Sequence, residues 1–180
     1  MGLTLLDGWV TQARHCLSPH FNQRPFKEVS LLVIHNISLP AGCFGLPYIE
    51  QLFLGKLDIE ADNSFKELQG LEVSAHFLIR RDGELVQYVS CDDRAWHAGV
   101  SQYDNRQACN DFSIGIELEG TDDLPYSEAQ YLRLVELTKS LMLSYPLITP
   151  ARITGHSDIA PGRKTDPGSS FDWQRYKAAL

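Results

Sequence analysis

The first marked feature in the pattern of apolar and polar positions is a short unbroken apolar run, Ser30 to Asn36 (SLLVIHN). Consecutive apolar residues, several of them branched, predict a strand buried on both faces in the middle of a sheet. Pro47 to Leu54 (PYIEQLFL) predicts a short helix with proline in its first turn. Between Val73 and Val89 two runs, VSAHFLIR and ELVQYV, flank Arg81-Asp82-Gly83. Asp-Gly in that setting predicts a hairpin. Ser113 to Leu118 (SIGIEL) predicts another strand, with Ile114, Ile116 and Leu118 on one face and Ser113, Gly115, Glu117 and Glu119 on the other. Ser127 and Gln130 form a capping box that opens a helix. Leu132, Val135 and Met142, with Leu134, Leu137 and Leu141 beside them, predict its buried side. It should stop near Tyr145-Pro146. Arg152 to Gly155 predicts a last short strand, and Asp172 is placed to cap a C-terminal helix, WQRYKAAL. Strands mixed with helices, one of them long and amphipathic, predict an α/β fold with a mixed sheet.

Composition narrows the class. A length of 180 residues with no repeat, low-complexity tract or linker predicts one domain, residues 1–180. Hydrophobic residues at 43% and charged residues at 22% match a soluble globular chain. A formal net charge of -7 argues against nucleic acid as partner, because phosphate binding concentrates Lys and Arg. Cys16, Cys43, Cys91 and Cys109 form no C-x-x-C pair and predict free thiols in a reducing compartment. The first ten residues lack the basic segment and cleavage site of a signal peptide, and no apolar run reaches membrane-spanning length. The expectation is a cytoplasmic monomer acting on a small molecule, not on a membrane.

Six histidines carry most of the candidate chemistry: His15, His20, His35, His76, His97 and His156. His35 ends the first strand, where ligands of α/β sheets gather, although a core histidine with satisfied hydrogen bonds is the plain alternative. His156 lies in TGHSD, ten residues before Asp166 in TDPG, across a loop holding Pro161 and Gly162. Two histidines and a carboxylate from separate segments suit a catalytic metal site, and spacing alone leaves Asp158 and Asp166 as equal candidates for the carboxylate. Glu117 is a candidate general base, with Glu119 its same-face neighbour. Lys164 is a surface lysine or a cation placed to stabilise an oxyanion. Trp96 can stack on a sugar ring or plug the core, and His97 beside it is a candidate to line the same cleft.

Five segments carry a resemblance: SLLVIHNISLP, VSAHFLIRRDGELVQYV, RAWHAGVS, CNDFSIGIELEGTD and TGHSDIAPGRKTDPGSSFDW. Spread over nearly the whole chain, they resemble the zinc amidase superfamily that includes phage lysozyme-type amidases and peptidoglycan-recognition proteins. Within it, the likeness is to the cytosolic anhydro-muropeptide amidases. The resemblance implies a mixed central β-sheet flanked by helices, with zinc in a surface cleft. It implies His35, His156 and Asp166 as the metal ligands, Glu117 and Lys164 as catalytic residues, and Asn36, His76 and Trp96 as groove residues. The implied reaction cleaves the amide between N-acetylmuramic acid and L-alanine in a muropeptide. Glu72 and Ala108 depart from the pattern, standing where arginines that hold stem-peptide carboxylates are expected, and Arg106 is the nearby candidate to replace one of them. Two competing readings are a secreted or phage-delivered cell-wall lytic amidase and a non-catalytic peptidoglycan-recognition module.

Overall fold

The computed structural model describes residues 2–180. Six strands build its main sheet: β1 (Arg14–His15), β2 (Leu31–Ile37), β3 (Phe77–Ile79), β4 (Leu85–Gln87), β5 (Ser113–Glu119) and β6 (Ile153–Gly155). Their order across the sheet is β6-β2-β5-β3-β4-β1. The centre is parallel, since β5 runs with β2 and β3, and β6 runs with β2. The hairpin β3–β4 is antiparallel, so the sheet is mixed as expected. Its turn closes where Arg80 N–H donates to Glu84 O and Gly83, at φ +88°, donates back to Arg80 O.

Among the described residues four α-helices accompany the sheet: α1 (Tyr48–Phe53), α2 (Glu128–Ser144), α3 (His156–Ile159) and α4 (Trp173–Ala178). Pro47 sits at the cap of α1, one position ahead of its first turn. The capping box on α2 is formed, with Gln130 N–H donating to Ser127 Oγ and Ser127 N–H to Gln130 Oε1. The buried Gln130 amide also donates to Ile79 O and Glu119 O, tying the start of α2 to β3 and β5. Asp172 caps α4 by accepting from Arg175 N–H.

Alternation along the two long strands divides the core. Leu32 and Ile34 of β2 and Ile114, Ile116 and Leu118 of β5 pack against α2 and against Tyr176 of α4. Leu31 and Val33 face the other way, onto Phe112 and Ile159. His35 and Glu117 lie on this second face, and all seven residues of β5 are buried.

The buried stripe of α2 differs from the expected one. Tyr131, Leu134, Leu137, Thr138 and Leu141 are buried, Val135 and Met142 are partly so, and Leu132 is 61% exposed. Two positions along a helix turn it by about 200°, so Leu132 and Leu134 cannot share a face. Leu134→Ala should therefore cost about 2–5 kcal/mol of stability and Leu132→Ala within about 0.5 kcal/mol, measured by denaturant unfolding. Equal losses would contradict this orientation of the helix.

Candidate metal centre

Parallel pairing sets the geometry. In the β2–β5 register His35 stands directly opposite Glu117. Adjacent strands lie roughly 4.8 Å apart, so the two side chains leave the sheet as neighbours on one face near the strands' C-terminal ends. On the other flank of β2, the strand β6 ends at Gly155 and the chain turns into α3, whose first residue is His156. Asp158 shapes that turn, accepting from Gly155 N–H at 2.9 Å and from Thr154 Oγ1 at 2.8 Å. Asp166 returns on the following loop, where its carbonyl accepts from Ser157 N–H. Glycine is required at 155, because a Cβ there would lie 2.8 Å from Pro167 Cδ and push the loop carrying Asp166 away.

Three potential ligands thus meet, with one donor atom from each of His35, His156 and Asp166 inside a 4.8 Å span. His35 Nδ1 lies 3.0 Å from His156 Nδ1 and 2.9 Å from Asp166 Oδ2, and His156 Nδ1 lies 3.1 Å from the same oxygen. The opposite ring nitrogens have other partners. His156 Nε2 lies 3.0 Å from Ala98 O, and His35 Nε2 lies 2.9 Å from His97 Nδ1. Burial lowers the His35 pKa to about 4, a direction that keeps its imidazole neutral and able to ligate. Burial opposes ionisation of Asp166, but hydrogen bonds to His156 and His35 overcome it and hold the carboxyl well below its usual range. Neutral imidazoles and an ionised carboxylate are the donor set of a catalytic zinc site with open positions. Asp158, the equal candidate from spacing, is committed to the turn.

Glu117 is 8% exposed, and its Oε2 is buried without a hydrogen-bond partner. Burial and the neighbouring Asp166 charge raise its pKa well above the carboxylate range, while Lys164 counters them. Glu119 is differently occupied. Its carboxylate accepts from Gly45 N–H, Arg80 Nη1 and Arg81 N–H, clamping two loops. Asn36, Lys164 and Asp166 share the wall of a surface depression of about 490 Å³ with Thr121 and Asp122. The Asn36 amide there donates to Asp122 Oδ1 at 2.8 Å. A second groove of about 590 Å³ runs past Gly99, Val100, Ala108, Ile159 and Arg163. Trp96 is half-buried, stacked on His20 with centroids 6.1 Å apart, and its indole N–H donates to Asn22 Oδ1.

Three expected groove residues have their polar atoms engaged within the protein. His76 is fully buried, with Nδ1 accepting from Gly115 N–H and Nε2 beside Asp93 O and Arg24 Nη2. Its own backbone N–H donates to Gly115 O, so backbone and ring are both held against β5. The His97 ring is partly exposed and packs edge-on against His35, centroids 5.0 Å apart, with its nitrogens used by His35 and Ser113 Oγ. Arg106 pairs with Glu28 Oε1 at 2.6 Å and stacks on Phe112, 4.0 Å from the ring centroid. It shares a notch with Ser30, which precedes His35 by five residues, or roughly 16 Å of strand. These contacts hold the Arg106 guanidinium in that notch.

Other residues of the site have no sequence signal of their own. Arg163 Nη2 donates to Ala98 O and Val100 O at 2.7 Å each. Asn110 Oδ1 accepts from His97 N–H and Ala98 N–H. Arg24 is half-buried and donates to the carbonyls of Cys91, Asn110 and Ser113. Burial lowers its pKa to about 10, which leaves it charged.

Comparison with known proteins agrees with this geometry. A family model described as N-acetylmuramoyl-L-alanine amidase matches residues 25–169. The 1,6-anhydro-N-acetylmuramyl-L-alanine amidase AmpD of Salmonella typhimurium is 59% identical over 174 residues, covering 96% of this chain and 92% of the relative. A crystal structure of a selenomethionine AmpD derivative superposes with a TM-score of 0.97 at 56% identity, covering 99% of both chains. AMPDH3 from Pseudomonas aeruginosa, in complex with anhydromuramic pentapeptide, superposes at 0.63 with 34% identity, over 86% of this chain and 61% of that one. With a match across most of its length and relatives this similar, the chain belongs to the N-acetylmuramoyl-L-alanine amidase family.

Proposed function

We propose that residues 1–180 form one zinc-dependent amidase domain that cleaves the bond between 1,6-anhydro-N-acetylmuramic acid and L-alanine in muropeptides. The observation that carries this reading is the meeting of His35 Nδ1, His156 Nδ1 and Asp166 Oδ2 beside an unpartnered buried carboxylate. The substrate class rests on the AmpD relative and on the family match. The setting that fits is peptidoglycan recycling in the cytoplasm, by a monomer. Four free cysteines suit a reducing compartment, and among the described residues no helix is long and apolar enough to cross a membrane.

His35, His156 and Asp166 would hold the metal, which supplies Lewis acidity toward the scissile carbonyl and toward water. Glu117 accepts the proton of the attacking water on Oε2. Its raised proton affinity suits it to take that proton, which then passes to the departing alanine nitrogen. Lys164, at the exposed rim of the depression, faces negative charge growing on the carbonyl oxygen. Asn36, held by Asp122, lines the same depression and fixes the sugar-lactyl portion. Trp96 offers an indole face farther along the surface. The products are a lactyl carboxylate on the sugar and a stem peptide with a free amino terminus. Ala108 presents only a methyl group to the second groove, which Arg163 also lines.

Alanine at His35, His156 or Asp166 should abolish stoichiometric zinc, while Asp158→Asn should keep it. Glu117→Gln should bind zinc normally and lose on the order of 10²–10⁴ in kcat. Lys164→Ala should lower kcat more than it raises KM. Metal analysis and steady-state kinetics check each of these; near wild-type kcat in Glu117→Gln would remove its assigned role.

The substrate assignment is tested by kcat/KM on matched muropeptides carrying anhydro or reducing sugars, alongside intact sacculi. A preference of roughly 10²-fold for the anhydro sugar is expected, an amount that a few kcal/mol of shape discrimination supplies. Equal values, or faster release from sacculi, would favour a lytic wall amidase.

A further inference from the structure

The two histidines of the metal centre are braced differently. His156 sets its far nitrogen against a backbone carbonyl, Ala98 O, a partner that can only accept. The far nitrogen of His35 meets another imidazole, 2.9 Å away at His97 Nδ1, and His97 Nε2 continues 3.1 Å to Ser113 Oγ. We propose that His97 is a positioning residue, one that with Ser113 orients His35 and selects the tautomer that presents Nδ1 to the metal. This inference rests on the zinc reading above.

The hydrogen bonds close in one sense once His35 Nδ1 is given to a cation. His35 then carries its proton on Nε2 and donates to His97 Nδ1. His97 carries its own on Nε2 and donates to Ser113 Oγ, whose hydroxyl rotates to accept. A serine suits the end of this relay because its oxygen both donates and accepts.

The seat of His97 is enforced from three directions. Glycine at 115 leaves room for the ring, since a Cβ there would lie 2.5 Å from its Cγ and Nδ1. Asn110 Oδ1 holds His97 N–H at 3.2 Å and Ala98 N–H at 2.8 Å, so one amide fixes both the relay imidazole and the carbonyl that braces His156. Arg24 in turn holds Asn110 O at 3.0 Å and Ser113 O at 2.8 Å, anchoring both ends of the support. Both ring nitrogens of His97 are taken by His35 and Ser113, and the ring lines neither of the two depressions beside the site, so its contribution runs through His35.

The test is zinc affinity, measured by chelator competition on folded protein, with no substrate present. His97→Leu removes the acceptor and should weaken zinc binding roughly 10–100-fold. His97→Gln offers an amide oxygen to His35 and an amide N–H to Ser113, and should recover most of that loss. Gly115→Ala changes no hydrogen-bonding group but displaces the ring, and should weaken binding in the same direction. Should His97→Leu fail to fold, Ser113→Ala, which cuts only the end of the relay, should still weaken zinc by a few-fold. Wild-type affinity in His97→Leu and Gly115→Ala, or a glutamine no better than leucine, would overturn the positioning role alone. A wild-type chain that binds no zinc would overturn the metal reading and this inference with it.

Discussion

Three electron-pair donors are held within van der Waals reach of one another: Nδ1 of His35, Nδ1 of His156 and Oδ2 of Asp166. Each imidazole has committed its other nitrogen, one to His97 and one to Ala98 O. Lone pairs gathered in this way repel unless a cation or a proton lies among them. Burial makes a second proton on the neutral His35 ring costly, which leaves the ring free to ligate. Much of the surrounding fold serves to bring these atoms together and keep them there.

The parallel ladder does the first part of that work. Pairing β2 with β5 in register sets His35 beside Glu117, and pairing β6 with β2 delivers His156 from the opposite side. A shift of one residue in either ladder would turn these side chains into the layer packed on α2. The apolar alternation of Leu32, Ile34, Ile114 and Ile116 guards against that slip, so the packing of the core and the placement of the site are one constraint. Glycines at 115 and 155 then allow a histidine ring and a proline-bearing loop to approach closer than any Cβ would permit.

The parts of this arrangement legible in the sequence are those written locally. The runs SLLVIHN and SIGIEL declare their strands by composition, and the capping box of α2 by spacing. Asp166 against Asp158 was undecidable from spacing, because both lie near His156. The difference arises from hydrogen bonding to Thr154 and Gly155 that only the folded turn creates. His97 and His76 are legible as chemistry but not as position, since their bonds to Ser113 and Gly115 of β5 arise only in the fold. Arg106 stands two positions before Ala108 in sequence, but its guanidinium contacts with Glu28 and Phe112 are made only by the folded chain. Arg24, Asn110 and Arg163 act through backbone carbonyls or amides of distant segments, a kind of contact that leaves no periodicity to read.

The most direct test of the account is diffraction from zinc-loaded crystals recorded on either side of the zinc absorption edge. The account predicts a single strong anomalous peak per chain, about 2.0–2.2 Å from Nδ1 of His35, Nδ1 of His156 and Oδ2 of Asp166, with Glu117 beside it and unbound. A peak ligated through Nε2 of either histidine, or seated at Asp158, would contradict it, as would zinc-loaded protein with no peak at this site.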